Sequence, residues 1–461
     1  MAEVLVVGGG AAGLTAAFKI WRAGHRVRVL EARDAAGGNV RTVDSEGFRM
    51  ETGPHGFMGS SEHIWRLARE LGIESAIERA GAGSRRRYIY RDGGLHPLPV
   101  DPVSFLRTSL LSMRGKLRLC MEPFVPGRAT EMETAWHFFC RRFGVEAATY
   151  IVSPFVSGIY AGDVERLGAR AAFARFWQFE RETGSMILGA LKHMREKRKR
   201  LAREGLNARR GLFSFDSGLG RLTSALARNL EGHIETRTRV ETLRFAGDRI
   251  RVRADGHELA ADAVVLAVPP PEAAGILAGE LPGAAECLRK IPMAPVALVH
   301  WTCSLELSPF PSGFGFLVPR LYGLQILGTI FTSQLFAGRA PAGSLLLSSF
   351  FGGMLDPGRA AASDGELETL IRSEHARILG RPVAQPRVLR VMRYPGAIPQ
   401  LLPDHPERMA RVRLEGSRIP GLSLAGNYLT GVSLEHAVES GLRAAQDCLR
   451  HLRFGRGMNE P

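Results

Sequence analysis

A glycine-rich stretch near the amino terminus restricts the fold more than any other feature of the sequence. It reads Gly8-Gly9-Gly10-Ala11-Ala12-Gly13 and follows the apolar residues 4–7, which predict a buried strand. Helix-forming residues continue to Gly24, and a second strand is predicted over Arg26–Leu30 with Glu31 at its end. The spacing G-x-G-x-x-G between a strand and a helix is typical of a βαβ unit that binds a dinucleotide.

The residue types in this stretch suit contacts with a dinucleotide. Gly8 allows the tight turn, Gly10 lets a pyrophosphate approach the backbone, and Gly13 lets the helix pack closely on the strand. Ala12 lies in the same loop, where the helix N-terminus favours phosphate. Glu31 is placed to accept hydrogen bonds from the adenosine ribose. We therefore expect an α/β fold with a Rossmann-type dinucleotide-binding domain.

Length and composition limit what else the chain contains. Its 461 residues exceed a single hydrophobic core, so we expect two or three domains. The five cysteines are odd in number and widely spaced, which favours free thiols in a reducing compartment over disulfides. The thirteen histidines are scattered without metal-ligand spacing, so no metal is expected. Residues 454–461 are expected to be disordered.

The formal net charge of +15 requires an explanation, and the densest basic run covers residues 192–210. Nucleic acid is the weakest explanation, because no binding motif accompanies the charge. Residues 99–210 mix Phe, Leu, Met and Trp with Arg and Lys, which suits helices lying on an anionic bilayer. The alternatives are a solvated helix face for the basic run and, for residues 99–210, a helical cap that buries its apolar face inside the protein. We see no secretory signal, and residues 321–338 are predicted to form core strands, so membrane contact should be peripheral.

Further glycine pairs indicate which dinucleotide is bound. Gly37-Gly38 follow Glu31, Glu51-Thr52-Gly53-Pro54 come later, and a predicted strand over residues 422–425 precedes Gly426-Asn427 and a helix. These features resemble the flavoprotein oxidase superfamily that includes the amine oxidases, which implies FAD. The resemblance implies cofactor contacts at Gly38, Gly53, Pro54, His55, Gly56, Val240, Asn427, Gly431 and Val432. In that superfamily Arg follows the glycine pair directly, whereas Asn39 stands here.

The same resemblance predicts how the flavin is held. The helix that begins after Gly431 would direct its positive N-terminal end at the flavin ring. No cysteine lies near residues 426–432 to tether a flavin, so we expect noncovalent FAD.

The superfamily resemblance also implies a discontinuous domain organisation. The FAD-binding domain is expected over residues 1–80, 211–285 and 415–455. A mixed-sheet substrate domain is expected over residues 81–98 and 286–414, and a helical, membrane-associating insert over residues 99–210.

A closer resemblance rests on motifs that follow one another along essentially the whole chain. They are SGIYAGDVERL (157–167), SFDSGLGRLTSAL (214–226), GFGFLVP (313–319), LGTIFTS (327–333), RYPGAIPQ (393–400) and GNYLTGVSLEHAVESG (426–441). Together they resemble the protoporphyrinogen oxidase family. Departures occur at Gly168, where the family commonly has Ser, at residues 401–405, and at His55, which replaces a different polar or basic residue.

The family resemblance implies the substrate site. Arg87 would bind a propionate, with Arg85 and Arg86 as alternatives, because guanidinium binds carboxylate in a two-pronged geometry. Gly158 would let the macrocycle approach closely, beside an apolar wall of Ile159 and Tyr160. Phe314, Gly315, Leu317 and Phe350 match further wall positions. Asp163 is expected to cap the following turn.

The implied activity is oxidation of protoporphyrinogen IX to protoporphyrin IX in haem biosynthesis. Three two-electron hydride abstractions would use O2 as acceptor and give H2O2. We expect no catalytic side chain, because flavin N5 carries the chemistry. Two alternatives remain: oxidation of coproporphyrinogen III to coproporphyrin III, which extra basic residues at 85–87 would favour, and a flavin amine oxidase.

The implied location is cytoplasmic, with peripheral attachment to the inner face of the membrane. The porphyrinogen, O2 and an anionic membrane surface are the expected partners. The resemblance also allows a homodimer and handover of the product to a ferrochelatase.

Overall fold

The computed structural model describes residues 1–127, 130–203, 209–308 and 310–454. The segment for which disorder is predicted lies outside these ranges from residue 455 onward. Part of the basic run at 192–210 also lies outside them.

A five-stranded sheet, parallel throughout, carries the glycine-rich stretch. Its strands in spatial order are Ile234–Glu235, Arg26–Leu30, Glu3–Val7, Ala263–Leu266 and Leu422–Leu424. Val6 pairs in register with Val29 on one side and Val265 on the other, and all three side chains are fully buried. The apolar runs predicted as buried parallel strands therefore have that structure.

Helices cover both faces of the parallel sheet. One face carries the helices Ala11–Arg22, Glu62–Glu70, Gly220–Asn229 and Leu434–Phe454. The other carries Pro270–Leu277, Pro282–Arg289, His405–Gly416 and a three-stranded sheet of Val240–Ala246, Arg249–Ala254 and His257–Ala261. The last helix packs directly on the first, because a Cβ added at Gly441 would come within 2.3 Å of the Ala12 carbonyl oxygen.

A seven-stranded mixed sheet forms the second layer. Its strands in spatial order are Arg387–Pro399, Met293–Ser304, Ser344–Gly352, Ile326–Ile330, Gly315–Leu317, Arg87–Arg91 and Gly94–Pro97. All neighbours are antiparallel except Gly315–Leu317 and Arg87–Arg91, which run parallel. The helix Asp364–Leu379 covers one face. The predicted α/β fold with a parallel sheet and a second, mixed sheet is therefore present, while the domain boundaries stay a prediction.

The prediction of core strands throughout residues 321–338 is wrong at both ends. Only Ile326–Ile330 forms a strand; a helical turn over Arg320–Tyr322 precedes it, and the short helix Thr332–Leu335 follows. Gly323 adopts a φ of +66°, which ends the preceding turn in the left-handed conformation that glycine tolerates.

Residues 99–210 are helical over most of the described part. The helices are Pro102–Arg107, Met113–Cys120, Ala135–Phe143, Val145–Ala147, Ser153–Tyr160, Ala169–Ala172, Ala174–Thr183 and Met186–Arg203, with a wider π-type turn over Ala148–Val152. Their shared core is aromatic and includes Phe138, Phe139 and Phe173. None of the helices in the described ranges has the length and apolar character needed to span a bilayer.

An ion cluster lies inside this helical insert. It comprises Glu122, Glu133, Arg141, Arg142 and Glu180 and is called the insert ion cluster below. Arg142 and Glu122 are fully buried; the guanidinium Nε donates to Glu122 Oε1 at 2.7 Å. Glu122 also accepts from the backbone N–H of Met186 at 2.9 Å, so it caps the long basic helix.

Smaller elements join the layers. They are the hairpin Thr42–Ser45 with Phe48–Glu51, a three-stranded sheet of Phe57–Met58, Leu212–Phe215 and Ile77–Arg79, and the helical turns Glu74–Ala76, Ala82–Arg85, Glu122–Phe124 and Pro357–Ala361.

Candidate functional site

The glycine-rich loop forms a cradle at the carboxyl end of the first strand. Gly8 has a φ of +102°, and a Cβ added at Gly13 would lie 1.9 Å from the Gly8 carbonyl oxygen. Both positions therefore require glycine. A Cβ added at Gly10 meets no atom within 4 Å, so space remains in front of that backbone for a ligand.

The second glycine turn lies against this loop. The Gly37 N–H donates to the Gly9 carbonyl at 2.7 Å, and a Cβ added at Gly38 would lie 3.0 Å from the Gly10 Cα. Gly53 approaches the turn from the other side, because its Cβ would come within 2.3 Å of the Asn39 carbonyl oxygen. The structure thus brings together the predicted cofactor positions of three chain segments.

The helix behind the cradle suits a bound phosphate. Ala11–Arg22 has Gly10 at its N-cap, no side-chain cap and no acidic residue in its first turn, where Ala12 lies. The first backbone N–H groups of a helix lack intrahelical acceptors, and the helix dipole favours an anion there. The residues present therefore fit the pyrophosphate of a dinucleotide such as FAD.

Glu31 lies where the sequence places it, at the end of the second strand, and is 7% exposed. Its Oε2 accepts from the Gly9 N–H at 2.7 Å and its Oε1 from the Arg33 N–H at 2.8 Å. The carboxylate therefore orders the glycine loop, and each oxygen keeps a lone pair for the predicted ribose contact. Val240, at the start of its strand, is buried in the neighbouring core.

The carboxyl-terminal glycine loop reaches the same edge of the sheet, because it follows the parallel strand Leu422–Leu424. Gly431 has a φ of +156°, and a Cβ there would lie 2.5 Å from the His436 ring. The Asn427 amide donates to the Val432 carbonyl at 3.5 Å, and the Val432 side chain packs on the core of the helical insert. The loop therefore links the predicted cofactor site to the insert.

The opening of the SGIYAGD motif is the last turn of helix Ser153–Tyr160. A Cβ added at Gly158 would lie 2.2 Å from Leu317 Cδ2, so this helix rests against the strand Gly315–Leu317. Gly315 has a φ of +143°, and its Cβ would lie 2.0 Å from the Thr329 carbonyl oxygen. Two predicted substrate-binding residues, Gly158 and Leu317, are thus in direct contact.

The rest of this motif corrects one expectation and supports another. Tyr160 is buried in the core of the insert, and its hydroxyl donates to the Ala172 carbonyl at 2.7 Å. The prediction that Tyr160 lines the substrate wall is therefore wrong. Ile159 is 44% exposed. Asp163 does cap the next turn, because its Oδ1 accepts from the Glu165 N–H at 2.9 Å.

Ala161 carries backbone strain beside the wall. It is 3% exposed and has a φ of +46°, a left-handed conformation that alanine rarely adopts. Its carbonyl accepts from the Met354 N–H at 2.8 Å, and a Cβ added at Gly353 would lie 2.7 Å from the same oxygen. The helix end and the strand Ser344–Gly352 are thus held together tightly.

Arg87 is a cation without an ion pair. Its guanidinium carbon lies 4.9 Å from the centre of the Phe314 ring, and no carboxylate among the described residues pairs with it. Gly315 is its register partner in the neighbouring strand. Desolvation by the surrounding protein lowers the pKa of Arg87 from its ordinary value, although the residue as a whole is exposed. The arrangement leaves a positioned guanidinium ready for an anion.

His55 joins the cofactor cradle to the substrate wall. Its ring centre lies 5.9 Å from that of Phe350 and 6.0 Å from that of His300. Pro54 beside it is half-buried. Gly56 packs on the strand Leu212–Phe215, since a Cβ added there would lie 2.9 Å from Leu212 Cδ1 and from the Phe213 carbonyl oxygen. Close packing on that strand explains the glycine at 56, and its predicted cofactor contact stays a prediction.

A directed hydrogen-bond chain runs beneath this site, and the sequence did not predict it. The His300 Nε2 lies 2.9 Å from the Glu51 carbonyl oxygen, so it must donate, and Nδ1 must accept from the Ser348 hydroxyl at 2.8 Å. The Ser348 oxygen in turn accepts from the Thr332 hydroxyl at 2.7 Å. We call Thr332, Ser348 and His300 the histidine–hydroxyl chain. Burial lowers the pKa of His300 to about 4, so every member is neutral.

A second chain runs parallel to it through the same sheet. The Trp301 indole N–H donates to Ser349 at 2.9 Å, Ser349 bonds to Thr329 at 2.8 Å, and Thr329 bonds to His375 Nε2 at 2.9 Å. His375 Nδ1 faces the Ile371 carbonyl at 2.9 Å. The one signal in the sequence was polar Ser and Thr inside otherwise apolar strands such as LLLSSFF.

The SGLG motif at 217–220 has a structural role. A Cβ added at Gly218 would lie 2.2 Å from Thr42 Oγ1. The Glu51 carboxylate accepts from the Leu219 N–H at 3.0 Å, and the buried Arg339 lies 3.7 Å away. Burial raises the pKa of Glu51. These contacts join the hairpin before Gly53 to helix Gly220–Asn229.

Comparison with known proteins shows the family of the chain. The family model described as flavin containing amine oxidoreductase matches residues 11–449. Protoporphyrinogen oxidase 1 from Arabidopsis thaliana is 32% identical over 96% of this chain and 87% of its own length. Coproporphyrinogen III oxidase from Bacillus subtilis (strain 168) is 28% identical over 98% of both chains. A proposed protoporphyrinogen oxidase from Exiguobacterium sp. 255-15 has a TM-score of 0.80, with 25% identity, and covers 98% of this chain and 99% of its own.

The chain belongs to the flavin containing amine oxidoreductase family and is an oxidoreductase whose cofactor is FAD. Within that family its resemblance to the protoporphyrinogen oxidases is confirmed.

Proposed function

We propose that the protein oxidises protoporphyrinogen IX to protoporphyrin IX in haem biosynthesis. The observation that carries the proposal is the unpaired Arg87 guanidinium over Phe314, on the sheet whose strand Gly315–Leu317 contacts Gly158. A porphyrinogen is a broad apolar macrocycle with carboxylate arms. A close-packed apolar wall with one free cation at its side suits that combination of groups.

The chemistry that FAD supplies when bound is acceptance of a hydride from the meso carbon. The residues of the chain bind and orient the substrate. Arg87 would hold a propionate in a two-pronged contact, and Gly158 with Leu317 would press the macrocycle against the cofactor side. Three rounds remove three hydrides and three protons, and three O2 would become three H2O2.

The ionisation of the nearest side chains supports a mechanism without a charged acid or base. Burial lowers the pKa of His55 to about 3 and that of His300 to about 4, so both rings are neutral at pH 7. The Arg87 guanidinium lies over the Phe314 ring of the proposed substrate wall. Its role is therefore electrostatic positioning.

Coproporphyrinogen III is the second candidate. It carries two more propionates, and Arg85 and Arg86 add exposed positive charge next to Arg87. The relationship to coproporphyrinogen III oxidases over nearly the full chain also favours it. Anaerobic titration of the flavoprotein with each porphyrinogen separates the candidates, because the true substrate bleaches the flavin at lower concentration. Bleaching by neither compound would overturn the proposal.

Arg87→Ala tests the site itself. Loss of a charge-assisted pair worth roughly 1.5–3 kcal/mol should lower kcat/KM about ten- to a hundredfold. Arg87→Lys should recover only part, since it keeps the charge and loses the planar fork. Arg85→Ala and Arg86→Ala are matched controls from the same stretch. Unchanged kcat/KM in Arg87→Ala, with a loss in either control, would move the propionate contact to that neighbour.

We also propose peripheral attachment to an anionic membrane at the cytoplasmic side. Large apolar side chains are exposed along the first half of the insert: Val100, Val103, Leu106, Met113, Leu117, Met121 and Phe124. The helix Met186–Arg203, whose Met186 N–H donates to Glu122, supplies basic residues for anionic headgroups.

Liposome co-sedimentation tests the attachment. The protein should pellet with anionic vesicles at low salt and be released as salt rises. Phe124→Glu should weaken pelleting, whereas Phe454→Glu, at another exposed phenylalanine outside the insert, should not. Equal recovery in the supernatant with and without vesicles would end the proposal.

A further inference from the structure

Gln400, the last residue of the RYPGAIPQ motif, is a polar side chain buried next to the substrate wall. It is 2% exposed. Its Nε2 donates to the Tyr160 carbonyl at 2.8 Å and to the Ile398 carbonyl at 3.1 Å. An amide nitrogen carries two protons, so these two bonds use both of them. Because the side chain is enclosed, it acts on the site through these two neighbours.

The first of these bonds satisfies a helix end. Tyr160 is the last residue of helix Ser153–Tyr160, and the last carbonyls of a helix have no intrahelical donor. Gln400 directly follows the strand Arg387–Pro399 and supplies that donor. The second glycine of the SGIYAGD motif leaves room for it, because a Cβ added at Gly162 would lie 2.6 Å from Gln400 Oε1. The amide therefore caps the helix from a distant part of the chain.

The second bond joins this helix end to the substrate wall. Ile398 packs in a small apolar cluster with Ala161 and Phe350. Phe350 is a predicted wall residue, and Ala161 is the first residue after the helix. The Gln400 amide thus holds the helix end and the wall at a fixed separation.

The turn that Gln400 holds also contains Gly158. The contact between Gly158 and Leu317 leaves no room for a methyl group, so a small movement of the turn would change it. Ala161 favours such movement, because its left-handed conformation is costly and persists only where the surroundings impose it. Gln400 provides one restraint, and the bond from the Met354 N–H to the Ala161 carbonyl provides another.

We propose that Gln400 is a positioning residue whose amide, by holding the turn with Gly158, sets the distance and angle at which the wall presents the macrocycle to the cofactor. The proposal rests on the proposed function, because the porphyrinogen is what Gly158 would contact. Gln400 touches neither substrate nor cofactor and moves no proton. It should therefore affect the rate of flavin reduction more than the affinity for the substrate.

Gln400→Met tests the proposal, because methionine has a similar length and lacks the amide donors. Anaerobic stopped-flow bleaching with the porphyrinogen that wild type oxidises gives the rate constant of reduction and the Kd separately, per bound FAD. A misplacement of about 1 Å can lower a rate about a hundredfold, so we expect a fall of about tenfold in the rate constant and a Kd within about threefold of wild type. Deuterium uptake by residues 153–163 should rise.

Asn229→Leu is the matched control. The Asn229 amide also donates to a helix carbonyl, that of Ala225 at 2.9 Å, at the end of helix Gly220–Asn229. This variant should match wild type in the rate constant, in the Kd and in deuterium uptake by residues 153–163. Gln400→Asn keeps the amide on a side chain one methylene shorter and should give an intermediate rate constant.

A wild-type rate constant in Gln400→Met, at any thermal stability or Kd, would show that the residue is only structural and would overturn the proposal. Unchanged deuterium uptake would also overturn it, because the turn would then need no amide. If Gln400→Met does not fold, a wild-type rate constant in Gln400→Asn overturns the proposal. If no porphyrinogen bleaches wild type, the proposed function fails together with this proposal, whereas equal bleaching of wild type and Gln400→Met overturns this proposal alone.

Discussion

The insert ion cluster and the histidine–hydroxyl chain bury polar groups by opposite means. In the insert, the buried Arg142 pairs with the buried carboxylates of Glu122 and Glu180, so charged groups are buried against each other. In the seven-stranded sheet, His300, Ser348 and Thr332 are buried without any net charge. Both arrangements satisfy their hydrogen-bonding groups.

The difference shows what each region depends on. The insert cluster holds together through many redundant contacts: Arg141 bonds to both Glu133 and Glu180, at 2.9 and 2.6 Å. The histidine–hydroxyl chain has one donor and one acceptor at each step, so its direction is fixed from end to end. Removing a charged side chain should therefore destabilise the insert ion cluster most, whereas protonation should destabilise the histidine–hydroxyl chain most.

Acidification should have the largest effect and should reach the histidines first. Folding lowers the pKa of His55, His300 and His375 from 6.5 to about 3, 4 and 4, so the unfolded chain binds more protons below pH 6.5. Stability should fall with decreasing pH by about 1.4 kcal/mol per unit for each histidine, until pH nears the folded values. The pKa of Glu122 is lowered, because hydrogen bonds outweigh its desolvation, so its contribution is lost only below about pH 4.5.

Urea unfolding of the holoprotein between pH 7 and 5 measures this slope. His375→Phe should reduce the slope by up to about 1.4 kcal/mol per pH unit, since one buried protonation site is removed. A slope that His375→Phe leaves unchanged would show that other groups control the acid transition.

Arg142→Met should have the next largest effect. It leaves Glu122 buried beside Ser185 with no cation, and breaking one side of a buried ion pair costs about 3–5 kcal/mol. Thermal or urea unfolding measures the loss. Arg170→Met is the control, because Arg170 pairs with Glu407 at the surface and such pairs contribute about 0–1 kcal/mol. Similar losses in both variants would mean that burial adds nothing to the insert cluster.

Ser348→Ala should break the neutral chain at its centre. It leaves the His300 Nδ1 acceptor and the Thr332 hydroxyl donor buried without partners, and we expect a loss of about 2–4 kcal/mol from two groups at about 1–3 kcal/mol each. The pKa of His300 should not rise, because burial controls it. Urea unfolding at pH 7 gives the loss, and histidine NMR titration gives the pKa. Wild-type stability would indicate that water replaces the hydroxyl.

Thr332→Val should have the smallest effect. It removes only the terminal donor, and Ser348 keeps its bond to His300. The free energy of unfolding should therefore fall by about 1 kcal/mol, the contribution of one hydrogen bond. The same urea measurement applies. A loss equal to that of Ser348→Ala would show that the chain acts as a unit and not as a series of separate bonds.

The sequence could predict the features that depend on residues close together in the chain. The Gly8–Gly13 loop, the strand Arg26–Leu30 and the last helix each depend on local spacing and periodicity, and the structure contains all three. The resemblance assigns Gly158 to the substrate wall, but the contact of Gly158 with Leu317 joins positions far apart in the chain.

The polar chains could not be predicted, because their partners come from separate strands. His300 needs the Glu51 carbonyl, Ser348 and Thr332, which only the sheet registers bring together. Tyr160 was misplaced for a similar reason: a helix end exposes one face to the wall and another to the insert core, and the sequence does not say which residue takes which face. Long-range pairing decides both cases.

The order of strands in the parallel sheet has a consequence for biosynthesis. Glu3–Val7 and Leu422–Leu424 both flank Ala263–Leu266, and the helix Ala11–Arg22 is covered by a helix that contains Gly441. At roughly 5–20 residues per second, a ribosome needs roughly 20–90 s to pass from the first helix to the last. During that interval the nascent chain exposes an apolar helix face that only its final segment can cover. The topology therefore delays closure of this core until the segment that contains Gly441 has been synthesised.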